Sequence, residues 1–177
     1  QTKEGGSYHT DSPQWTKVPD LVGMLCINPA KKGGTSKFVS TYTIHNHLLN
    51  EQESYLKTLY GKFHFDKRGE YESGESPTVF EPVFQFKDGK LSCRYLSDYI
   101  QAGHKIQNQP LTESQEMSLQ LLEKVSQNKN YVLSYDLQSN DIVFFDNHRI
   151  LHGRTAFEDF EDENRKRFLL RTWIKFE

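Results

Sequence analysis

Along the chain, short apolar runs alternate with turn-forming residues. The stretch "DLVGMLCIN" (20–28) is nearly continuous in apolar residues, the pattern of a strand buried on both faces. "KKGG" (31–34) reads as a turn, and "SKFVSTYTI" (36–44) as a strand rich in β-branched and aromatic residues. The same pattern predicts strands over "VFEPVFQF" (79–86), "KLSCRYL" (90–96), "YVLSYDL" (131–137), "DIVFFDNHRILH" (141–152) and "RFLLRTWIKF" (167–176). Between two of these, Asp88-Gly89 is a hairpin signal.

Two stretches follow a helical period instead. "TESQEMSLQLLEKV" opens on a capping box, Thr112 to Gln115, and sets Met117, Leu121, Leu122 and Val125 on one stripe. "HNHLLNEQESYLKTLY" (45–60) spaces Leu48, Gln52, Tyr55, Leu56 and Leu59 in the same way. The charged, turn-rich segment 66–77 is expected to be an exposed loop. Many short strands with few helices predict a mainly β (α+β) fold, a sandwich or jelly-roll barrel with helices packed outside. No boundary divides residues 1–177, so one domain is expected.

Composition narrows the function. A length of 177 residues supports a real core. A net charge of -2 offers no basic face for nucleic acid. Mean hydropathy is -0.76, and no apolar run approaches the roughly 20 residues of a membrane span. The two cysteines, Cys26 and Cys93, make no disulfide framework, so reduced thiols and a cytoplasmic location are expected. The chain begins at Gln1 without a signal-like segment, so a processed, trimmed or partial chain is expected.

Residues two apart on a strand share a face. In "GSYHTDSP" (5–12), His9 and Asp11 therefore converge if the segment is extended. Two imidazoles and one carboxylate on one face of a metal, other positions open, mark non-haem Fe(II) oxygenases. His-x-Asp alone does not choose its site. His64 and Asp66 form a second copy, His45 and His47 flank an asparagine, and His148 and His152 both lie in "DNHRILHGR". In "RFLLRTW", Arg167 and Arg171 sit four apart on one strand face in an apolar setting. Such arginines take either an anionic ligand, bound bidentately, or a structural carboxylate.

Taken together, "YHTD", "PDLVGMLCINPAKKGGTSKFVS", "DIVFFDNHRILHGRTAF" and "RKRFLLRTWI" resemble the taurine dioxygenase/clavaminate synthase-like (TauD/TfdA) family of Fe(II)- and 2-oxoglutarate-dependent oxygenases. The resemblance implies a double-stranded β-helix, and it assigns His9, Asp11 and His152 as metal ligands. His152 is preferred to His148 because Asp146 lies six residues before it, and His64 is left to the surface. Arg167 matches the residue pairing with the far carboxylate of 2-oxoglutarate. Ser36 matches a hydroxyl on the same co-substrate, with Thr35 as its neighbour in register, and Arg171 a second arginine near the metal-bound carboxylate. The implied reaction uses O2, releases succinate and CO2, and hydroxylates or desaturates a small molecule. Asp11 occupies the position that halogenating relatives vacate for chloride.

Around these residues the sequence leaves choices open. Asp146 and Asn147 could orient His152 or bond their own backbone, Arg154 could meet an anionic substrate or a structural carboxylate, and Trp15 could line the pocket or the core. His45, His47, His104 and His148 read as ordinary polar histidines. Family members carry a long segment before the His-x-Asp strand, where this chain has eight residues. The chain is thus expected to be the C-terminal portion of a longer chain, or a reduced member. Two other readings share the ligand set: a non-catalytic jelly-roll module that binds metal or ligand, and a cupin-like metal hydrolase or isomerase.

Overall fold

A computed structural model of the chain describes residues 3–87 and 89–177. Its strands are β1 (Gly6–His9), β2 (Leu21–Asn28), β3 (Lys32–Gly33), β4 (Ser36–Ser40), β5 (Lys62–Asp66), β6 (Thr78–Pro82), β7 (Phe84–Lys87), β8 (Lys90–Cys93), β9 (Val132–Tyr135), β10 (Ile142–Asp146), β11 (Ile150–Arg154), β12 (Phe157–Glu158) and β13 (Phe168–Ile174). The helices are α1 (Thr41–Glu51), α2 (Glu53–Leu59), α3 (Ser97–Ile106) and α4 (Glu113–Ser126). A four-stranded antiparallel sheet, β1-β11-β4-β9, faces a three-stranded one, β10-β2-β13, in a jelly-roll arrangement. Hairpins β5-β6 and β7-β8 and the short pair β12-β3 complete the pairing.

The pleat divides the four-stranded sheet chemically. Tyr8, Val39 and Leu151 point to one face and join the apolar core with Leu48, Leu59, Phe63, Tyr95 and Leu122. Their neighbours His9, Phe38 and His152 point to the other face, toward the second sheet. Each strand therefore gives alternate residues to stability and to chemistry.

Several elements depart from the sequence pattern. The expected strand 36–44 ends at Ser40, and Thr41, Ile44 and Leu48 then form the buried stripe of α1. The expected helix 45–60 breaks at Gln52, whose φ of -150° ends α1 and starts α2. Run 79–86 splits after Pro82, which has no N–H for a continuous ladder. Run 141–152 is two strands in different sheets, separated by a turn at 147–149. On α4 the capping box forms as expected, but Leu119 is buried in place of Met117. Strand β2 has no exposed residue, but it is buried less fully than expected, and Ile142, Phe144 and Leu170 beside it are exposed. Lys87 and Lys90 pair across the β7-β8 turn, while Asp88 of the expected hairpin signal lies outside the described residues.

Helix α3 has no counterpart among the expected elements, and Gly103 within it has a specific cause. A Cβ there would lie 2.3 Å from the His64 carbonyl oxygen and 2.8 Å from the Asp66 amide nitrogen. Glycine lets α3 rest directly on the β5 backbone. Gly103→Ala should cost about 1–3 kcal/mol by overpacking, a Tm fall of roughly 2–12 °C for a chain of this size. Gly6→Ala, with open space around it, serves as the control in the same thermal melt.

The second His-x-Asp also departs from expectation: His64 and Asp66 are buried, not surface residues. The His64 ring lies between Thr78 Oγ1 (3.1 Å) and Gln109 Oε1 (3.3 Å), and its backbone N–H donates to His104 Nε2 (3.2 Å). Asp66 accepts from the Arg68 amide at the turn. Hydrogen bonding thus satisfies a polar cluster that the family resemblance and the charged loop after it had left to the surface.

Candidate metal centre

His9, Asp11 and His152 come together, their ligand atoms all within 4.8 Å of one another. The cause is register: His9 of β1 pairs directly with His152 of β11. Asp11 lies two residues beyond the end of β1 and turns inward from there. His9 Nε2 and His152 Nε2 are 3.6 and 3.5 Å from Asp11 Oδ1. Those separations are too long for good hydrogen bonds. They are close to the about 3 Å between donors that sit at right angles, each about 2.1 Å from one ion.

The protonation states suit a cation. His9 Nδ1 donates to the Ser7 carbonyl at 2.9 Å, which turns Nε2 toward Asp11. Burial, then the adjacent His9, push the His152 pKa down, so the ring is neutral. Its buried Nδ1 has no well-aligned hydrogen-bond partner among the described residues. Burial alone would raise the Asp11 pKa. The neighbouring His9 and His152 imidazoles, the Arg171 guanidinium and the Trp173 N–H outweigh it and hold the carboxyl well below its usual range. An ionised carboxylate and two converging imidazoles are the donor set that suits a divalent first-row metal.

A cavity of about 520 Å³ opens from this cluster. His9, Ser36, His152, Arg154, Arg167 and Arg171 line it, with Met24 and Leu169 as apolar wall. Of the two neighbouring hydroxyls, Ser36 borders the cavity, while the Thr35 amide donates to Thr155 Oγ1 at the β4–β11 edge. Arg167 precedes β13 rather than lying within it, and its guanidinium stacks over Phe157 at 5.1 Å. Among the described residues no carboxylate lies within ion-pair distance of that guanidinium. Arg171 does have an ion pair, with Asp11 Oδ1 at 3.1 Å. Arg154 donates to the Glu4 and Thr155 carbonyls and covers the same Phe157 ring at 4.7 Å.

The flanking residues resolve differently from one another. Asp146 accepts from the His148 amide and pairs with Arg149, so it serves its own turn. Asn147 is fully buried and serves Asp11 instead of His152. Its Oδ1 accepts from the Asp11 N–H (2.7 Å), and its Nδ2 donates to the Asp11 carbonyl (3.0 Å) and to the Pro19 carbonyl (3.1 Å). Trp15 stands outside the cavity lining, against Trp173 at 5.4 Å, and donates to Glu70. His45, His47 and His148 bond to Tyr60, Tyr131 and Asp20. Sequence reasoning missed Trp173, whose Nε1–H donates to Asp11 Oδ2 at 2.8 Å. The signal was present, because Trp173 follows Arg171 by two and so shares its strand face.

Comparison with known proteins gives a consistent lineage. The family model for "Taurine catabolism dioxygenase TauD, TfdA family" matches residues 1–173. FR-33289 synthase of Streptomyces rubellomurinus is 32% identical over 180 residues, covering 100% of this chain and 51% of that protein. An asparagine oxygenase structure with Fe(II), 3-hydroxyasparagine and succinate superposes with a TM-score of 0.77 at 18% identity, covering 98% of this chain and 50% of the other. The non-haem iron oxygenase OrfP, solved with Fe and alpha-ketoglutaric acid, gives 0.70 at 15% identity, with 98% and 50% coverage. The chain thus spans about half the length of these relatives.

Proposed function

Because the chain belongs to the TauD, TfdA family of taurine catabolism dioxygenases, we propose that it carries the catalytic site of an Fe(II)- and 2-oxoglutarate-dependent dioxygenase acting on a small molecule. One observation carries this reading: His9, His152, Ser36, Arg167 and Arg171 border a single cavity, and the Asp11 carboxylate lies within 4.8 Å of the ligand atoms of both histidines. His9, Asp11 and His152 hold the metal, and Arg167 with Ser36 binds the far carboxylate of 2-oxoglutarate. When bound, Fe(II) with this co-substrate and O2 supplies the oxidising chemistry, in which 2-oxoglutarate becomes succinate and CO2 and a substrate C–H bond is hydroxylated or desaturated.

The protein residues bind, orient and neutralise. Arg167 lacks an internal carboxylate partner among the described residues, so its guanidinium is ready for an external one, which it can grip bidentately. Phe157 beneath it restricts the side chain's rotamers and keeps one face of the guanidinium dry. Arg171 neutralises part of the negative charge at Asp11 and borders the same space, where the inner carboxylate of the co-substrate would lie. Met24 and Leu169 exclude water from one wall, which strengthens each of these charge interactions.

Two measurements test the reading. Anaerobic addition of Fe(II) and 2-oxoglutarate to this chain should produce a weak visible charge-transfer band, and O2 should then release succinate, faster with a true substrate present. A chain that binds Fe(II) but shows neither band nor succinate is a metal-binding module of another kind.

A further inference from the structure

Asp11 has two carboxylate oxygens, and the structure treats them unequally. Oδ1 faces the two histidine Nε2 atoms and Arg171. Oδ2 is turned away and accepts the Trp173 indole N–H at 2.8 Å. The backbone on either side of this side chain is held as well, by the paired bonds of Asn147 to the Asp11 N–H and carbonyl. Trp173 is itself fixed from two directions. The Arg171 guanidinium lies 4.9 Å over its ring, and Trp15 meets it edge-on, with Trp15 in turn tied to Glu70.

An unrestrained carboxylate could present both oxygens to a cation and consume two coordination positions. From these contacts we infer that Trp173 is a positioning residue. It retains Oδ2 and so makes Asp11 a one-oxygen ligand, which leaves an additional position for exogenous ligands. The inference rests on the metal-binding reading above. It gives the tryptophan a role that core packing does not require, since 41% of its surface is exposed. Trp15 acts as the wall behind it.

Direct metal binding tests this without turnover. The metal-free chain is titrated with Co(II), and affinity and visible d–d absorption are read together. Trp173→Phe keeps the ring and removes only the N–H. It should weaken Co(II) binding by about ten- to a hundredfold, the usual cost of losing a ligand's outer hydrogen-bond partner. Its d–d spectrum should shift as the carboxylate becomes two-toothed. Trp15→Phe, which keeps the wall, should bind within about threefold of wild type, well below that usual cost. Wild-type affinity and an unshifted spectrum in Trp173→Phe overturn the inference while leaving the metal site intact. Failure of the wild-type chain to bind Co(II) overturns both. Should Trp173→Phe misfold, the wild-type chain labelled with 15N-indole decides the matter, its two signals assigned with Trp15→Phe. On Zn(II) loading the Trp173 Nε1–H resonance should move more than that of Trp15. Equal or absent movement overturns the role.

Discussion

Replacing His152 with leucine should abolish metal binding and succinate formation while leaving the metal-free fold as stable as before, or more so. Loss of one of three protein donors should lower Fe(II) or Co(II) affinity by more than about a hundredfold, since disturbing an outer partner alone costs up to that much. Stability should move the other way. His152 is 6% exposed, and its buried Nδ1 lacks a well-aligned partner among the described residues. A buried polar group without a good partner costs up to about 3 kcal/mol. Leucine fills a similar volume against Phe145 and removes that cost. Metal titration and a thermal melt of the metal-free chain check the two halves together. His148→Leu is the internal control, because His148 bonds Asp20 and does not border the cavity. Strong metal binding by the leucine variant at 152 would mean that the histidine is only a packing residue.

The second large effect is on the co-substrate. Arg167→Leu should raise the 2-oxoglutarate KM by roughly thirtyfold to several thousandfold. That range converts the 2–5 kcal/mol typical of truncating one partner of a buried charge pair at 1.4 kcal/mol per tenfold. Arg167→Lys should recover only part of the loss, since an ammonium keeps the charge but not the two-pronged geometry. Direct Co(II) affinity should stay near wild type in both, because Arg167 touches none of the three metal-type donors. Steady-state kinetics in 2-oxoglutarate and the anaerobic charge-transfer band measure the effect. An unchanged KM would mean that Arg167 does not hold the co-substrate, and absence of 2-oxoglutarate turnover by the wild-type chain would favour a metal hydrolase or isomerase, which needs no arginine there.

The two predictions differ in where their residues were legible. Arg167 and Arg171 were visible as charges in an apolar run, an anomaly that needs no knowledge of the fold. The proposed metal ligands were less secure. Spacing alone could not choose between His148 and His152, or between His9-x-Asp11 and His64-x-Asp66; only the family motif did. The physical distinction lies in pairing. His152 stands opposite His9 across β1 and β11, whereas His64 sits in a separate hairpin, surrounded by hydrogen-bonding groups.

Other misreadings have local causes. Gly103 hid helix α3, because glycine signals a break unless one knows that a backbone must pass beneath it. Thr41, Tyr42 and Thr43 favour strands by propensity, yet burial of Ile44 and Leu48 holds them in α1. Asn147 was noticed as a neighbour of His152, but it clamps Asp11, a residue remote in sequence.

By itself, then, the sequence determined what depends on local periodicity and residue type: a mainly β chain, the alternation of apolar and polar side chains along its strands, the capped helix α4, and a stock of imidazoles, carboxylates and guanidinium groups suited to a metal and an organic acid. Tertiary structure alone decided which of these groups meet. Strand register across β1, β11 and β4, and the approach of β13 from the opposite sheet, bring Trp173 and Arg171 onto Asp11 and leave Arg167 free of an ion pair among the described residues. The reason is that side-chain direction along a strand follows a two-residue rule written locally, while the partner strand is selected by burial summed over the whole molecule.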